Sequence, residues 1–204
     1  QHKKACKKRA AELHDEKLFK DHPPREDCPI CMLPLPIDAE KYSFSSCCGT
    51  TICAGCIHAM VKEELRKGKK KEELGMCAFC RSPHFSSEGE DIKRMMKLME
   101  KGNSTALYAF AGYYSQGTNG MRQDMAKANE LWLKAGELGC AEAYHNLGCS
   151  YENGIGVERD KKKANHYCEL AAMKGDVIAR HQLGCMEGQA GNHQRAFKHF
   201  MLAA

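Results

Sequence analysis

Aromatic residues are scarce in this 204-residue chain: Phe, Trp and Tyr together make up 7% of it, and Trp occurs once. Charged residues make up 28%. A single large hydrophobic core is hard to build from this composition, because aromatic side chains contribute much of the buried area in such cores. We therefore expect two small folded units instead of one large globule.

Long apolar runs and a strong net charge are also missing. No apolar stretch approaches the roughly 18 residues that a membrane-spanning helix requires, so we expect a soluble chain without a membrane span. The net charge is only +5 and both signs are interspersed, which disfavours a nucleic-acid partner except at a local patch. The chain starts with Gln1 and ends inside a helical pattern. We interpret it as a fragment. The absence of a signal peptide from this sequence is then weak evidence about where the protein is located.

Cysteine, in contrast, is abundant. Of thirteen cysteines, eight lie in four close pairs: Cys28/Cys31, Cys47/Cys48, Cys53/Cys56 and Cys77/Cys80. A Cys-x-x-Cys loop directs two thiolates to one tetrahedral centre, so four pairs predict two structural zinc sites. A disulfide framework uses the same even number and remains an alternative. Catalytic thiol chemistry is disfavoured, because every pair has a counterpart and no cysteine stands alone beside a base.

Metal would also explain how this segment folds. About 55 residues with few aromatics bury little apolar surface, whereas each structural zinc ion can contribute on the order of 10 kcal/mol that exists only in the folded state. Reduced thiols would place the protein inside the cell, in the cytoplasm or the nucleus. The other five cysteines stand singly in or beside helical patterns, where we expect small buried side chains: Cys6, Cys140, Cys149, Cys168 and Cys185.

The segment from Asp27 to Pro83 resembles the RING finger family, through the motifs CPIC (28–31), CCGTTICAGC (47–56) and CAFCRSP (77–83). The resemblance implies a small α+β domain in which two zinc sites interleave and brace one fold. The first and third cysteine pairs then hold one ion, and the second and fourth pairs hold the other. Site one would consist of Cys28, Cys31, Cys53 and Cys56, and site two of Cys47, Cys48, Cys77 and Cys80.

The second cysteine pair departs from the common RING pattern, which has Cys-x-His at this place. Adjacent Cys47 and Cys48 chelate one ion with more strain than a Cys-x-x-Cys loop does. One of the two could therefore be a spectator, with His58 as the substitute ligand. We adopt the all-cysteine assignment and keep His58 as its alternative.

RING domains that act as ubiquitin ligases carry no catalytic side chain. They bind a charged ubiquitin-conjugating enzyme in a shallow apolar groove, and the resemblance assigns five positions to that contact: Ile30, Met60, Phe79, Arg81 and Pro83. Ile30 matches the aliphatic docking position, Phe79 and Pro83 match the loop facing it, and Arg81 matches a cation that contacts both enzyme and ubiquitin. Two positions weaken the match, since Met60 replaces a frequent aromatic and Ala78 replaces a frequent proline.

Two functions remain open on this basis. One is a ubiquitin ligase whose zinc domain recruits the conjugating enzyme. The other is a non-enzymatic scaffold or adaptor with a purely structural zinc domain, in which Ile30 and Phe79 only fill the space between the zinc sites. A nucleic-acid binder is a weaker third reading, because acidic neighbours such as Glu72 and Glu73 neutralise much of the basic segment 66–71.

A period of 36 residues runs through the second half of the sequence. It relates Gly112, Gly148 and Gly184, which we expect to let neighbouring helices approach closely. Apolar residues recur at i, i+3 and i+4, so each unit contains two helices. Trp132 lies in such an apolar stripe. We interpret it as a core residue, with a binding role as the alternative.

The second unit, AEAYHNLGCSYENGIGVERDKKKANHYCELAAMKGD (141–176), resembles the Sel-one-like repeat family, a relative of the tetratricopeptide repeats. The first copy covers 107–140, and the third, 177–204, is truncated and lacks the Gly-x-Gly loop. The resemblance implies an all-α helical-repeat solenoid that binds a protein or peptide partner, which for a ligase would include its substrate.

The predicted organisation has four parts. A basic amphipathic helix (1–22) precedes the RING-like zinc domain (23–83), a linker with a capping helix (84–103) follows, and the repeats (104–204) complete the chain. We expect Ser82–Gly89 to be irregular and a helix over Asp91–Glu100 to bury positions 92, 95, 96 and 99. We expect the N-terminal helix to pack on the zinc domain through its less polar positions, Cys6, Ala10, Leu13, Leu18 and Phe19.

Overall fold

The computed structural model describes residues 2–21, 23–70, 74–83 and 88–203. In these ranges the chain forms nine α-helices and one two-stranded sheet. The helices are α1 (His2–Leu18), α2 (Ala54–Arg66), α3 (Glu88–Glu100), α4 (Ser104–Gln116), α5 (Met125–Glu137), α6 (Ala141–Asn153), α7 (Lys161–Met173), α8 (Val177–Gln189) and α9 (His193–Ala203). The strands are β1 (Tyr42–Ser45) and β2 (Thr50–Cys53), and a 3-10 turn, Ala39–Lys41, precedes β1.

The N-terminal unit is a small α+β structure. Its strands pair antiparallel, with Tyr42 opposite Cys53 and Ser45 opposite Thr50, and α2 begins directly after β2. Its core cluster consists of three buried residues: Cys28, Leu35 and Ile52. An apolar core of this size supplies little folding free energy.

The second unit is a helical-repeat solenoid in which α4 to α9 each pack on the next helix along the chain. Polar residues set the helix starts, because the side chains of Asn103, Asp124, Asp160 and Asp176 each accept a hydrogen bond from a backbone N–H in the first turn of the following helix. Trp132 is 7% exposed and lies in the first core cluster with Leu107, Phe110 and Leu131. The core interpretation of Trp132 is confirmed.

Helix α3 packs on the first repeat, through Met95, which is buried, and through the partly buried Ile92, Leu98 and Met99. This helix therefore covers part of the first repeat, but Met96 is exposed and does not belong to the packed face. The helix begins at Glu88, so Gly89 is helical and not part of an irregular linker. Residues 84–87 of that predicted linker lie outside the described ranges.

Helix α1 does not pack on the N-terminal unit, and the prediction that it does so was wrong. Leu18 is 1% exposed and joins the second repeat cluster with Ala171, Ala172 and Leu183. Residues 2–14 are all exposed, including Cys6, Ala10 and Leu13, so the helix has no continuous apolar face. The C-terminal end of the helix and the residue after it carry the apolar part of the contact, because Leu18 and Phe19 are the apolar residues that meet the repeats.

The five single cysteines differ in their surroundings. Cys168 is buried in the second repeat cluster, as predicted, and Cys140 and Cys149 are partly buried. Cys6 and Cys185 are exposed, so the prediction of buried side chains was wrong for them. Among the described residues, no helix combines the length and the apolar character that crossing a bilayer requires.

The glycines spaced by 36 residues are not equivalent. A Cβ atom at Gly148 would lie 2.8 Å from Cys168 Sγ and 3.2 Å from the Ala164 carbonyl oxygen, and one at Gly184 would meet the Phe200 ring at 2.6 Å. These two permit close helix contacts, as predicted. A Cβ at Gly112 would meet nothing within 4 Å, so the prediction was wrong there.

Substituting alanine at these positions should change stability in opposite directions. Gly112→Ala adds no clash and improves helix propensity, so it should raise the free energy of unfolding by about 1 kcal/mol. Gly148→Ala should lower it by about 1–2 kcal/mol, because forcing α6 and α7 apart costs more than the propensity gain. Urea unfolding followed by circular dichroism measures both, and equal signs would contradict the difference in packing.

His199 should make the stability depend on pH. The ring is 1% exposed and lies between elements that carry Arg180 and Glu187 (α8), Arg195 (α9) and Asp15 (α1). Burial and the two arginines lower its pKa to about 4, against the weaker opposite effect of the two carboxylates. In the unfolded chain the pKa returns to about 6.5. Between these values the unfolded state binds the extra proton, so acidification from pH 6.5 to 4 weakens the fold.

The free energy of unfolding should therefore fall between pH 7.5 and pH 5 by about 2 kcal/mol more in the wild type than in His199→Phe, which keeps a ring at this position. Urea titrations at both pH values measure this difference. The same substitution at the exposed His193 serves as the control. An identical pH dependence in wild type and His199→Phe would show that the ring does not titrate in this way.

Candidate metal centres and partner surface

Eight cysteine sulfur atoms converge in two groups. In each group the four Sγ atoms lie within 4.8 Å of one another: Cys28, Cys31, Cys53 and Cys56 in the first, and Cys47, Cys48, Cys77 and Cys80 in the second. These are the two interleaved sets named from the sequence. The exposed His58 belongs to neither group.

The spacing of the sulfur atoms fits a tetrahedral ion. Cys28 and Cys56 lie 3.8 Å apart, as do Cys31 and Cys53 in the same group. In the second group Cys48 and Cys77 are separated by 3.8 Å and Cys47 and Cys80 by 3.4 Å. A zinc–sulfur bond of ~2.3 Å places tetrahedral sulfur atoms ~3.8 Å apart. A disulfide requires ~2.05 Å, and all eight thiols are free.

Two loops with the same backbone hydrogen bonds present the first and fourth cysteine pairs. In the first loop, Cys28 N–H donates to the Leu33 carbonyl and Met32 N–H donates to the Cys28 carbonyl. In the second loop, Cys77 and Arg81 repeat this pattern with Ser82. Met32 and Arg81 take the same left-handed conformation, with φ of 58° and 62°. We call these two loops the knuckles, residues 28–34 and 77–83.

The knuckle backbone also prepares thiolates. Burial raises the pKa of Cys28, but hydrogen bonds from the backbone of Cys31, Cys53 and Ile30 outweigh it and lower the pKa to about 6. Cys77 behaves in the same way in the second knuckle, with a pKa of about 6. Burial and the neighbouring thiols raise the pKa of Cys56 to about 12. Each group thus favours a thiolate on its buried cysteine, and a divalent cation would stabilise the others as thiolates.

A tight turn lets the adjacent Cys47 and Cys48 face one centre. The turn between β1 and β2 closes with hydrogen bonds from Cys48 N–H and Gly49 N–H to the Ser45 carbonyl, and Gly49 has a φ of +71°. A side chain at Gly49 would be strained and would lie 2.9 Å from both Asn103 Nδ2 and Leu98 Cδ2. The turn therefore allows Cys47 and Cys48 to face one centre although no residue separates them.

The same turn joins the N-terminal unit to the repeats. Asn103 Nδ2 donates to the Gly49 carbonyl at 3.2 Å, and its Oδ1 caps α4. Ser46 Oγ donates to Asp91 on α3, and Arg94 donates to the Pro83 carbonyl of the second knuckle. These contacts hold the second cysteine group against α3 and the first repeat. The sequence shows Asn103 only as a residue at a helix boundary, and its second partner lies 54 residues away.

The residues assigned to a conjugating enzyme are mostly on the surface. Ile30 is 44% exposed and Phe79 is 51% exposed, at equivalent positions of the two knuckles. Arg81 and Pro83 are exposed as well. Met60 is half-buried and lines a groove of about 250 Å³ with Ile57, Val61, Leu74, Met76 and Ala78, among others. Ile30 and Phe79 do not line this groove.

A second apolar area went unnoticed in the sequence. Met32, Leu33 and Ile37 are each more than 60% exposed, beside a cavity of about 290 Å³ lined by Leu33, Pro34, Pro36 and Ala54, among others. The signal was the apolar run from Met32 to Ile37, which is too rich in proline to form a regular buried element.

Comparison with known families identifies the helical half. The Sel1 repeat family matches residues 104–140, 141–176 and 177–204. Residues 104–204 are Sel1 repeats. In the third Sel1 repeat the two helices are joined by residues 190–192 alone.

Two solved structures have a similar fold. One is a Sel1 repeat protein from Oxalobacter formigenes, with 24% identity and a TM-score of 0.54, covering 74% of this chain and 65% of that one. The other is c5321, a protective antigen of uropathogenic Escherichia coli with an SLR fold, with 24% identity and a TM-score of 0.55 over 71% of this chain and 32% of that one. This chain thus spans 65% and 32% of their lengths. No curated protein matches the chain.

Proposed function

We propose that the protein is a RING-type ubiquitin ligase of the cytoplasm or nucleus. Its N-terminal unit would bind two zinc ions through the two cysteine groups and recruit a ubiquitin-conjugating enzyme. The Sel1 repeats, a protein-interaction module, would bind the substrate or a partner. The ions would supply folding energy and no chemical step, because the transfer of ubiquitin takes place on the conjugating enzyme.

The exposure of Ile30 and Phe79 carries this proposal. If these side chains only filled the space between two zinc sites, both would be buried, yet about half of each is exposed to solvent. The knuckle hydrogen bonds hold them in equivalent places, and apolar side chains fixed at an exposed site favour a protein partner. The half-buried Met60 adds an adaptable groove floor beside Ile57 and Val61.

Arg81 supports the same interpretation. It is the only non-glycine residue of its knuckle with a positive φ among the described residues, and it follows the last cysteine directly. A guanidinium at that position can donate to carbonyl groups of two partners at once, which suits a cation placed between enzyme and ubiquitin. The contacts of Asn103 with Gly49 and of Arg94 with Pro83 would hold the repeats in a fixed direction relative to that surface.

An autoubiquitination assay with the full chain and a panel of conjugating enzymes tests the proposal. We expect ubiquitin chains with the wild type and at least a tenfold loss of rate in Ile30→Ala/Arg81→Asn, because one interface anchor is worth more than about 1.4 kcal/mol. Asparagine tolerates the left-handed conformation of residue 81, so the knuckle backbone should persist.

Two variants outside the assigned docking positions serve as matched controls. Met32→Asn makes the same backbone demand as Arg81→Asn, and Ile37→Ala removes another exposed apolar side chain. Both should keep wild-type rates, with equal zinc content in all variants. An inactive wild type with every conjugating enzyme would favour the scaffold function, and a fully active double variant would refute the assigned docking surface.

A further inference from the structure

We infer that the second and third Sel1 repeats together form a recognition site for the C-terminal turn of a helix. The partner that fits it is a helix ending in the pattern Asp-x-x-Leu-Phe. In this chain the site is occupied by α1 and the residue after it, from Asp15 to Phe19. This inference does not depend on the ligase function.

A buried arginine forms the centre of the site. Arg180 is 1% exposed, and its guanidinium donates to the Leu18 carbonyl at 2.5 Å and to the Ala172 carbonyl at 2.7 Å. These carbonyls lie at the C-terminal ends of α1 and α7, where helix carbonyls carry partial negative charge. The Ala172 carbonyl also accepts a hydrogen bond from Gly175 N–H at 3.1 Å. Arg180 therefore recognises the end of a helix by its backbone.

Side chains around Arg180 add sequence preference. Arg195 donates to both carboxylate oxygens of Asp15, at 2.5 and 2.6 Å, and Glu187 holds Arg195 in place. The centroid of the Phe19 ring lies 4.7 Å from that of the His199 ring. Arg195 Cζ and Lys198 Nζ each lie 5.2 Å from the same Phe19 centroid. Leu18 fills the apolar cluster between these groups. An acid, a leucine and an aromatic residue thus each have partners in the repeats, and Arg195 contacts both the acid and the aromatic ring.

The arginine at the centre of the site distinguishes the third repeat from the other two. The residues 36 and 72 positions before Arg180 are Tyr144 and Tyr108, so the guanidinium replaces a tyrosine of the repeat pattern. A buried arginine is costly unless its donors are used, and without α1 one of its two carbonyl partners would be missing. Packing among the repeats does not explain why an arginine is buried at position 180, because one of its two hydrogen-bond acceptors belongs to α1.

The contact made by α1 is small enough to be exchanged. Residues 2–14 are exposed, and His14 adds one 3.2 Å contact to Glu169. The contact is made by residues from His14 to Phe19, whereas a stable interface takes about 20–30 residues from each partner. The short connection to the N-terminal unit keeps α1 at a high effective concentration, on the order of millimolar. A longer helix of another protein with the same terminal pattern can therefore compete with α1.

A cleavable full-length chain tests the inference. A protease site inserted between Pro23 and Pro24 allows α1 to be cut from the folded protein, and a labelled peptide of residues 8–20 serves as the probe. We expect the cleaved chain to bind the peptide at least tenfold more tightly than the uncut chain does, by fluorescence polarisation. Retention of the cut helix during gel filtration, with exchange against excess peptide, would support the same conclusion.

Variants localise the binding. Leu18→Ala or Asp15→Asn in the peptide, and Arg180→Met in the cleaved chain, should each weaken binding at least tenfold. Leu13→Ala in the peptide is the matched control, since Leu13 is exposed on the same helix. Equal binding of the Leu13 and Leu18 variants, or no binding by a cleaved chain that circular dichroism shows to be folded, would overturn the inference. Unfolding on loss of α1 would also overturn it, because α1 would then be part of the fold.

Discussion

Removing zinc by chelation should unfold residues 23–83 while the Sel1 repeats remain folded. Among the described residues, the core cluster of the N-terminal unit has three buried members, Cys28, Leu35 and Ile52, and burial of one such side chain contributes about 1.5–3 kcal/mol. Ordering the backbone costs about 1–2 kcal/mol per residue. Two ions contributing on the order of 10 kcal/mol each would shift this balance, whereas the repeats have their own core around Trp132 and Leu107.

Elemental analysis and hydrogen exchange measure the two parts separately. The purified chain should contain two zinc ions, and a chelator should remove the amide protection of β1, β2 and α2 but not that of α6 to α8. Cys31→Ser should reduce the count to about one ion. Cys6→Ser is the control, because Cys6 is equally exposed but belongs to neither cysteine group. A metal-free chain that keeps its β1–β2 protection would refute the zinc assignment.

The arrangement within each cysteine pair could be anticipated because its cause is local, whereas the division of the pairs into two interleaved groups came from the resemblance to RING fingers. Each knuckle places its two thiols through hydrogen bonds within seven residues, and the Gly49 turn places Cys47 and Cys48 within five. The Sel1 repeats were visible for a similar reason, since each unit packs on its neighbour and repeats the same residues at a fixed spacing. Such features can be predicted from sequence because short segments determine them.

The destination of α1 could not be anticipated in the same way. Its contact pairs Leu18 with Arg180, 162 residues away, through a backbone carbonyl that has no sequence signature. The one available signal was the change from tyrosine to arginine at position 180, which appears only when the three repeats are aligned. At Gly112 the sequence pattern predicted a close helix contact that the described part of the chain does not contain. This glycine fits the repeat pattern, but no neighbouring atom of the described structure approaches it.

Replacing Trp132 with alanine should cost about 3–5 kcal/mol of the free energy of unfolding, the range for deleting a large buried aromatic side chain. Trp132 packs in one cluster with Phe110, Leu131 and Ala143, which come from three successive helices. Total stabilities of 5–15 kcal/mol leave little after such a loss. Since repeats interact mainly with their neighbours, hydrogen exchange should show the loss of protection in α4 and α5 first, with α8 and α9 retaining theirs.

Trp132→Phe separates the contribution of ring packing to stability from the cost of burying the indole N–H. No group in the described ranges accepts a hydrogen bond from Trp132 Nε1, and burying an unpaired donor costs about 1–3 kcal/mol. Phenylalanine removes that donor and keeps a ring, so we expect a change within about 1 kcal/mol in urea unfolding. If Trp132→Ala left stability unchanged but abolished partner binding, the core assignment would fail and a binding role would replace it.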